Sequence, residues 1–119
     1  MKRDEVIDYI QSHYGVAPEH PWAKLPKYLV FRHTNNSKWF AVMMSIPANK
    51  LYEGGGGKII DIINLKAAPE LVGSLRLNKG VYPAYHMNKE HWVTVHLNSD
   101  FNKHELTLLI DESYKLTYK

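Results

Sequence analysis

The stretch Tyr85-His86-Met87-Asn88-Lys89-Glu90-His91-Trp92 gathers two imidazoles, an amide, an ammonium, a carboxylate and two large aromatics into eight residues. Metal binding is one chemistry such a set could serve. His86, His91 and His96 recur every fifth residue. On a strand, an odd spacing sends His91 and His96 to opposite faces. His86 and His91 could meet across a hairpin with Glu90 as a third donor, but two histidines alone leave a metal under-coordinated. Histidines that are hydrogen-bonded or lie at the surface are the better reading, and no metal or other cofactor is indicated. Covalent catalysis finds no support either. The chain has no cysteine, and no G-x-S-x-G turn surrounds Ser37, Ser45, Ser74, Ser99 or Ser113. The carboxylates gather at helix ends and in the last helix, as with Asp111 and Glu112, where they face water or complement the helix dipole. No catalytic residues are indicated, and a non-enzymatic role is expected.

The glycine run Gly54 to Gly57 ahead of Lys58 invites a phosphate-loop reading. The pattern G-x-x-x-x-G-K-[ST] needs a glycine where Tyr52 sits and a hydroxyl where Ile59 sits. The β-branched run that follows predicts a strand, whereas a phosphate loop opens a helix. A flexible hairpin loop is therefore expected there.

The elements that position these residues follow from periodicity. Val6, Ile7, Ile10 and Tyr14 predict a helix over 3–14, with Gly15 as its stop. Residues 16–27 carry three prolines and no period, yet Trp22 and Leu25 call for burial, which implies an ordered loop. Strands are predicted over 28–33 and 38–44, joined by a Thr34-Asn35-Asn36-Ser37 turn. A third strand is expected over 58–65. A short helix begins at Pro69, with Ala68 as a poor cap, and ends near 78–80. A second strand pair is expected over 81–87 and 91–97, around the turn Asn88-Lys89-Glu90. The last helix opens on the capping box Asn102 to Glu105 and turns Leu106, Leu109, Ile110, Ser113 and Thr117 to one side. Strand meanders with helices to one side predict an α+β two-layer sandwich, an antiparallel sheet with helices packed on it, as one domain over 1–119.

Net charge is +3, with a pI near 9.0. This mild basic bias permits contact with phosphates without demanding it. Arg32, Lys38, Lys58, Lys66 and Lys89 fall at strand ends and hairpin tips, interleaved with Trp22, Tyr28, Trp39, Tyr85 and Trp92. Basic hairpin wings of this kind can reach a groove or backbone. Sheet alternation nevertheless favours Trp39 and Trp92 as core. The N-terminus lacks the apolar run of a signal peptide, and no segment has the ~18 apolar residues of a bilayer span. A cytoplasmic protein without a membrane partner is expected.

The sequence resembles the MmcQ/YjbR family of small bacterial proteins along nearly its whole length. "AYHMNKEHW" at 84–92, "INLKAAPEL" at 63–71, "KWFAVMM" at 38–44, "PWAKLPKYLVFRH" at 21–33 and "LIDESYKLT" at 109–117 carry the likeness. Asn64, Leu65, Lys66, Pro69, Tyr85, His86, Met87, Asn88, Lys89, His91 and Trp92 match the motif positions. Ala68 departs from the family's usual Asp. The resemblance implies an α-β(3)-α-β(2)-α order, comparable with secretion chaperones and the frataxin-like CyaY protein. It also implies DNA binding through a double-wing arrangement of hairpins, with no catalytic residues to carry over. On this reading Arg32, Lys38, Lys66, Tyr85, His86, Asn88, Lys89, His91 and Trp92 are the candidate nucleic-acid or ligand contacts. The alternative is a protein- or small-ligand-binding scaffold, with His86, Asn88, Lys89 and His91 lining a polar pocket beside Trp22. A third reading is structural, with Asn88 and His91 bonding backbone groups to hold the turn.

Overall fold

The computed structural model describes residues 1–119. Helix α1 forms over Arg3–Tyr14, where Val6 and Ile10 lie one turn apart and are fully buried. The Lys2 backbone N–H donates to Glu5 Oε1 at 2.9 Å, closing its first turn. Gly15, at φ 67°, ends it by donating to the Gln11 carbonyl at 2.9 Å. Strands β1 (Leu29–Arg32), β2 (Trp39–Pro47) and β3 (Ile59–Lys66) follow, then α2 (Pro69–Leu75), β4 (Val81–Pro83), β5 (Trp92–His96) and α3 (Lys103–Thr117). The strands form one antiparallel sheet in the order β1-β2-β3-β5-β4. This is the α+β class and element order expected.

Alternation along the strands divides the apolar residues between two faces. Leu29, Phe31, Met43, Ile63, Leu65, Val93 and Val95 meet Val6 and Ile10 of α1, Val72 of α2, and Leu106 and Ile110 of α3 in the main core. All three helices thus pack on one face. The other face is not bare. Val30, Val42, Met44, Ile46, Ile60 and Ile62 form a second core. Three loops supply its cover: Trp22 and Tyr28 from the first, Leu51 and Tyr52 from the β2–β3 connection, Tyr85 and Met87 from the β4–β5 connection. Burying both faces explains why β2 and β3 read as continuous apolar runs.

The β2–β3 connection owes its shape to glycine. A Cβ on Gly55 would stand 2.7 Å from the Ala48 backbone carbon, and Gly56 sits at φ 71°. Asn49 donates to the Gly56 carbonyl at 2.9 Å, so the glycine run is a bonded turn closed on the short 3-10 segment Ala48–Lys50.

The structure differs from the sequence reading at five places. Strand β4 stops at Pro83 and β5 starts only at Trp92, because the Tyr85 N–H is taken by the Thr94 side chain and His86 turns to φ 57°. Helix α2 ends at Leu75, and residues to Gly80 are turn. Leu25 is exposed. Trp39 and Trp92 are half-buried instead of core. The capping of α3 is made in one direction: Asn102 Oδ1 accepts from the Glu105 N–H at 3.0 Å, with no return bond from the Glu105 carboxylate.

Candidate functional site

The face away from the helices carries most of the candidate contacts. A β-bulge shapes it. Arg32 pairs with Trp39 and Phe31 with Ala41, leaving Phe40 as an extra residue in β2. Phe40 and Ala41 consequently both enter the helix-side core, and Trp39 is turned to the loop side, where its ring lies 5.9 Å from that of Trp22. The bulge is braced from α3. The fully buried Ser113 hydroxyl donates to the Phe40 carbonyl at 2.5 Å and accepts from the Lys66 N–H at 2.9 Å. One serine thereby satisfies two backbone groups at the end of the β2–β3 ladder.

Arg32 ends β1, Trp39 opens β2, Lys66 ends β3 and Trp92 opens β5, so the four share one end of the sheet. Arg32 stands opposite Trp39, and Lys66 opposite Trp92. In sheet order the row reads cation, aromatic, cation, aromatic. All four are half-buried. The Arg32 guanidinium already holds Glu19 in a two-pronged pair, at 2.7 and 2.8 Å. Lys66 has no carboxylate within ion-pair distance.

The connection 84–91 lies back across the same face. Three hydrogen bonds form a closed ring there. The Tyr85 N–H donates to Thr94 Oγ1 at 2.8 Å, the Thr94 hydroxyl donates to Asn64 Oδ1, and Asn64 Nδ2 donates to the Tyr85 carbonyl at 2.9 Å. Asn64 and Thr94 are fully buried. The ring satisfies every polar atom it contains at an otherwise apolar site. It also draws Tyr85 inward, and burial, with Tyr85 as a lesser cause, raises the pKa of the neighbouring Tyr28 phenol. Asn88 holds the turn beyond, its Oδ1 accepting from the Glu90 N–H at 2.8 Å and the His91 N–H at 3.2 Å. The His91 side chain makes no such bond; its backbone carbonyl accepts from Ala67.

His86 and Lys89 are exposed and line a cleft of about 330 Å³ with Lys50 from the β2–β3 connection. Asn88, His91 and Trp22 do not line it. Lys38 lies apart from the row, at the β1–β2 turn, where its ammonium donates to the Lys119 carbonyl at 2.5 Å. Asn35 and Asn36 of that turn bond the end of α3 as well, at 2.9–3.2 Å. Neither candidate wing therefore projects freely. No three His, Asp or Glu side chains converge as a metal-holding group. Sequence reasoning passed over Trp39 and Lys50 as contacts. Trp39 reaches this face only through the bulge, and Lys50 meets His86 from a connection some thirty-five residues away.

A family model described as YjbR matches residues 11–116. The chain belongs to the YjbR family. Among its relatives, the Bacillus subtilis protein YyaQ is 38% identical over 117 residues, covering 98% of each chain. The Escherichia coli YjbR protein is 39% identical over 54 residues, 44% of this chain and 46% of that one. A crystal structure of a Pseudomonas syringae protein superposes with a TM-score of 0.96 at 54% identity, covering 98% of this chain and 99% of the other. The Deinococcus radiodurans protein DR2400 superposes with a TM-score of 0.70 at 26% identity, over 95% and 78% of the two chains. In this YjbR-family chain no helix is long and apolar enough to cross a membrane.

Proposed function

We propose that this protein binds DNA through the loop-side face of its sheet, along the row Arg32, Trp39, Lys66 and Trp92. The observation that carries the reading is the alternation of cation and aromatic across four neighbouring strands. Adjacent strands lie roughly 4.8 Å apart, so the two tryptophans, two strands apart, are separated by roughly 10 Å. That span suits bases of an extended strand stacking on the rings while the cations meet the phosphates between them. Stacking needs free base faces, which favours single-stranded or unpaired DNA over an intact duplex. The sheet face replaces the hairpin tips as the contact surface, because the turns at 33–38 and 84–91 are bonded down.

The charge distribution supports the same side. Helices α1 and α3 carry Asp4, Glu5, Asp8, Glu105, Asp111 and Glu112 against Arg3, Lys103 and Lys115. The strand ends and loops of the other face carry Lys24, Lys27, Arg32, Lys50, Lys66 and Lys89 against Glu19, Glu53 and Glu90. Such asymmetry steers polyanions toward the loop side. Fluorescence anisotropy with labelled single-stranded and duplex oligonucleotides across a salt series tests the proposal. Affinity should fall as salt rises, by counterion release. Lys66→Ala should reduce the salt slope by about one. Arg32→Ala should reduce it less, because Glu19 already occupies the guanidinium. Absence of binding at low salt would remove the proposal.

A further inference from the structure

We propose that the cleft between the β2–β3 and β4–β5 connections binds the phosphate group of a small phosphate ester. Lys50, His86 and Lys89 line this cleft, and no carboxylate does. Neither lysine has an ion-pair partner elsewhere, so both ammonium groups are free to turn toward an anion. Two ammonium groups that line one cleft without a carboxylate give it a positive potential that favours a bound dianion. The other sheet-edge cavities differ in this respect. The one holding Lys58 and His96 also holds Asp61, and the one holding Arg32 also holds Glu19.

His86 is held in place. Its backbone sits at φ 57°, a left-handed conformation uncommon outside glycine, and its ring meets the Tyr85 ring edge-on at 4.1 Å. Tyr85 is itself fixed by the Asn64–Thr94 ring of hydrogen bonds. Strain retained at an exposed polar residue is a known accompaniment of binding sites. Leu51 and Pro83 supply an apolar wall for the body of the ligand. The volume, about 330 Å³, is at the low end of small-molecule sites, which run from roughly 300 to 1,000 Å³. A mononucleotide-sized ester fits that description, and a lengthy polymer does not.

Two-dimensional amide NMR with adenosine monophosphate, pyrophosphate and adenosine is the test. Monophosphate and pyrophosphate should each give saturable shifts at Lys50, Leu51, His86 and Lys89, and adenosine should give none. The double variant Lys50→Ala/Lys89→Ala, altering two exposed side chains, should keep the folded spectrum and lose affinity at least about tenfold. His86→Gly, which removes both the imidazole and the left-handed strain, should fold and bind more weakly. No saturable shift below ~10 mM, far weaker than a functional site would bind, would overturn the proposal. So would equal shifts with adenosine, or shifts that persist in the double variant. Unchanged affinity in His86→Gly would overturn the part given to His86. The double variant Trp39→Ala/Trp92→Ala should retain monophosphate binding, so this cleft and the DNA surface fail independently.

Discussion

Asn64 offers the sharpest test of how the loop-side face is held. Its amide accepts from the Thr94 hydroxyl and donates to the Tyr85 carbonyl at a site with no solvent exposure. Asn64→Ala removes both bonds, each worth about 1 kcal/mol net. It also strands the buried Thr94 hydroxyl proton, at a cost of about 1–3 kcal/mol. The sum is a loss of about 3–5 kcal/mol, offset only if water enters the space. At about 3–5 °C per kcal/mol for a chain this size, melting should fall by about 9–25 °C. The near-isosteric Asn64→Asp separates charge from shape. An aspartate there keeps an acceptor for Thr94 and, when protonated, can donate to Tyr85. Burial beside a carbonyl raises its folded pKa above the unfolded value of about 3.9. The folded state then holds the proton more tightly than the unfolded one. Stability relative to the parent is therefore greatest below about pH 4 and is lost as pH rises through the folded value. Urea unfolding at pH 4 and pH 8, with amide exchange of Tyr85 as a local reporter, measures both effects. A loss under about 1 kcal/mol for Asn64→Ala, or a pH-independent penalty for Asn64→Asp, would refute the role given to the ring.

Two further predictions concern the other buried polar groups. Ser113→Ala leaves the Phe40 carbonyl and the Lys66 N–H without their shared partner, and should cost about 2–4 kcal/mol by chemical denaturation; Ser12→Ala on the exposed side of α1 should change stability by less than about 0.5 kcal/mol. His33 is buried, with Nε2 2.7 Å from Thr117 Oγ1, and burial, aided by Lys38, holds its pKa below the usual histidine range. The unfolded chain therefore takes the proton first, so stability should fall as pH drops from about 7.5 through 6.5 toward 5. Urea midpoints at those pH values should show this fall reduced in His33→Gln; an equal fall in both would contradict the assignment.

Much of the architecture is written in local pattern. Val6 and Ile10 one turn apart, Gly15 as a stop, and Leu106, Ile110, Ser113 and Thr117 on one stripe yield α1 and α3 directly. The same holds for β3, whose β-branched run marks it as a strand. What stayed hidden depends on tertiary events. Trp39 and Val42 are three residues apart, which in an unbroken strand would place them on opposite faces; only the Phe40 bulge puts both on the loop side. The 84–91 segment alternates well enough to pass for a hairpin, but the Asn64 and Thr94 side chains capture its backbone and fold it onto the sheet. Asn64 matched the family motif without any role visible in the sequence, because its partners are twenty-one and thirty residues away. Asn88 was legible, since an asparagine accepting from the backbone a few residues on is a local turn device.

The central claim is that the cation–aromatic row is a DNA-binding surface. Its most direct test is anisotropy with a labelled single-stranded oligonucleotide at low salt, comparing the parent with Trp39→Ala/Trp92→Ala. Stacking worth about 1–3 kcal/mol per base predicts a loss of at least about tenfold for the double variant with an unchanged salt slope, and a reduced slope for Lys66→Ala. Binding that is absent in the parent, or equally strong in the double variant, would contradict it.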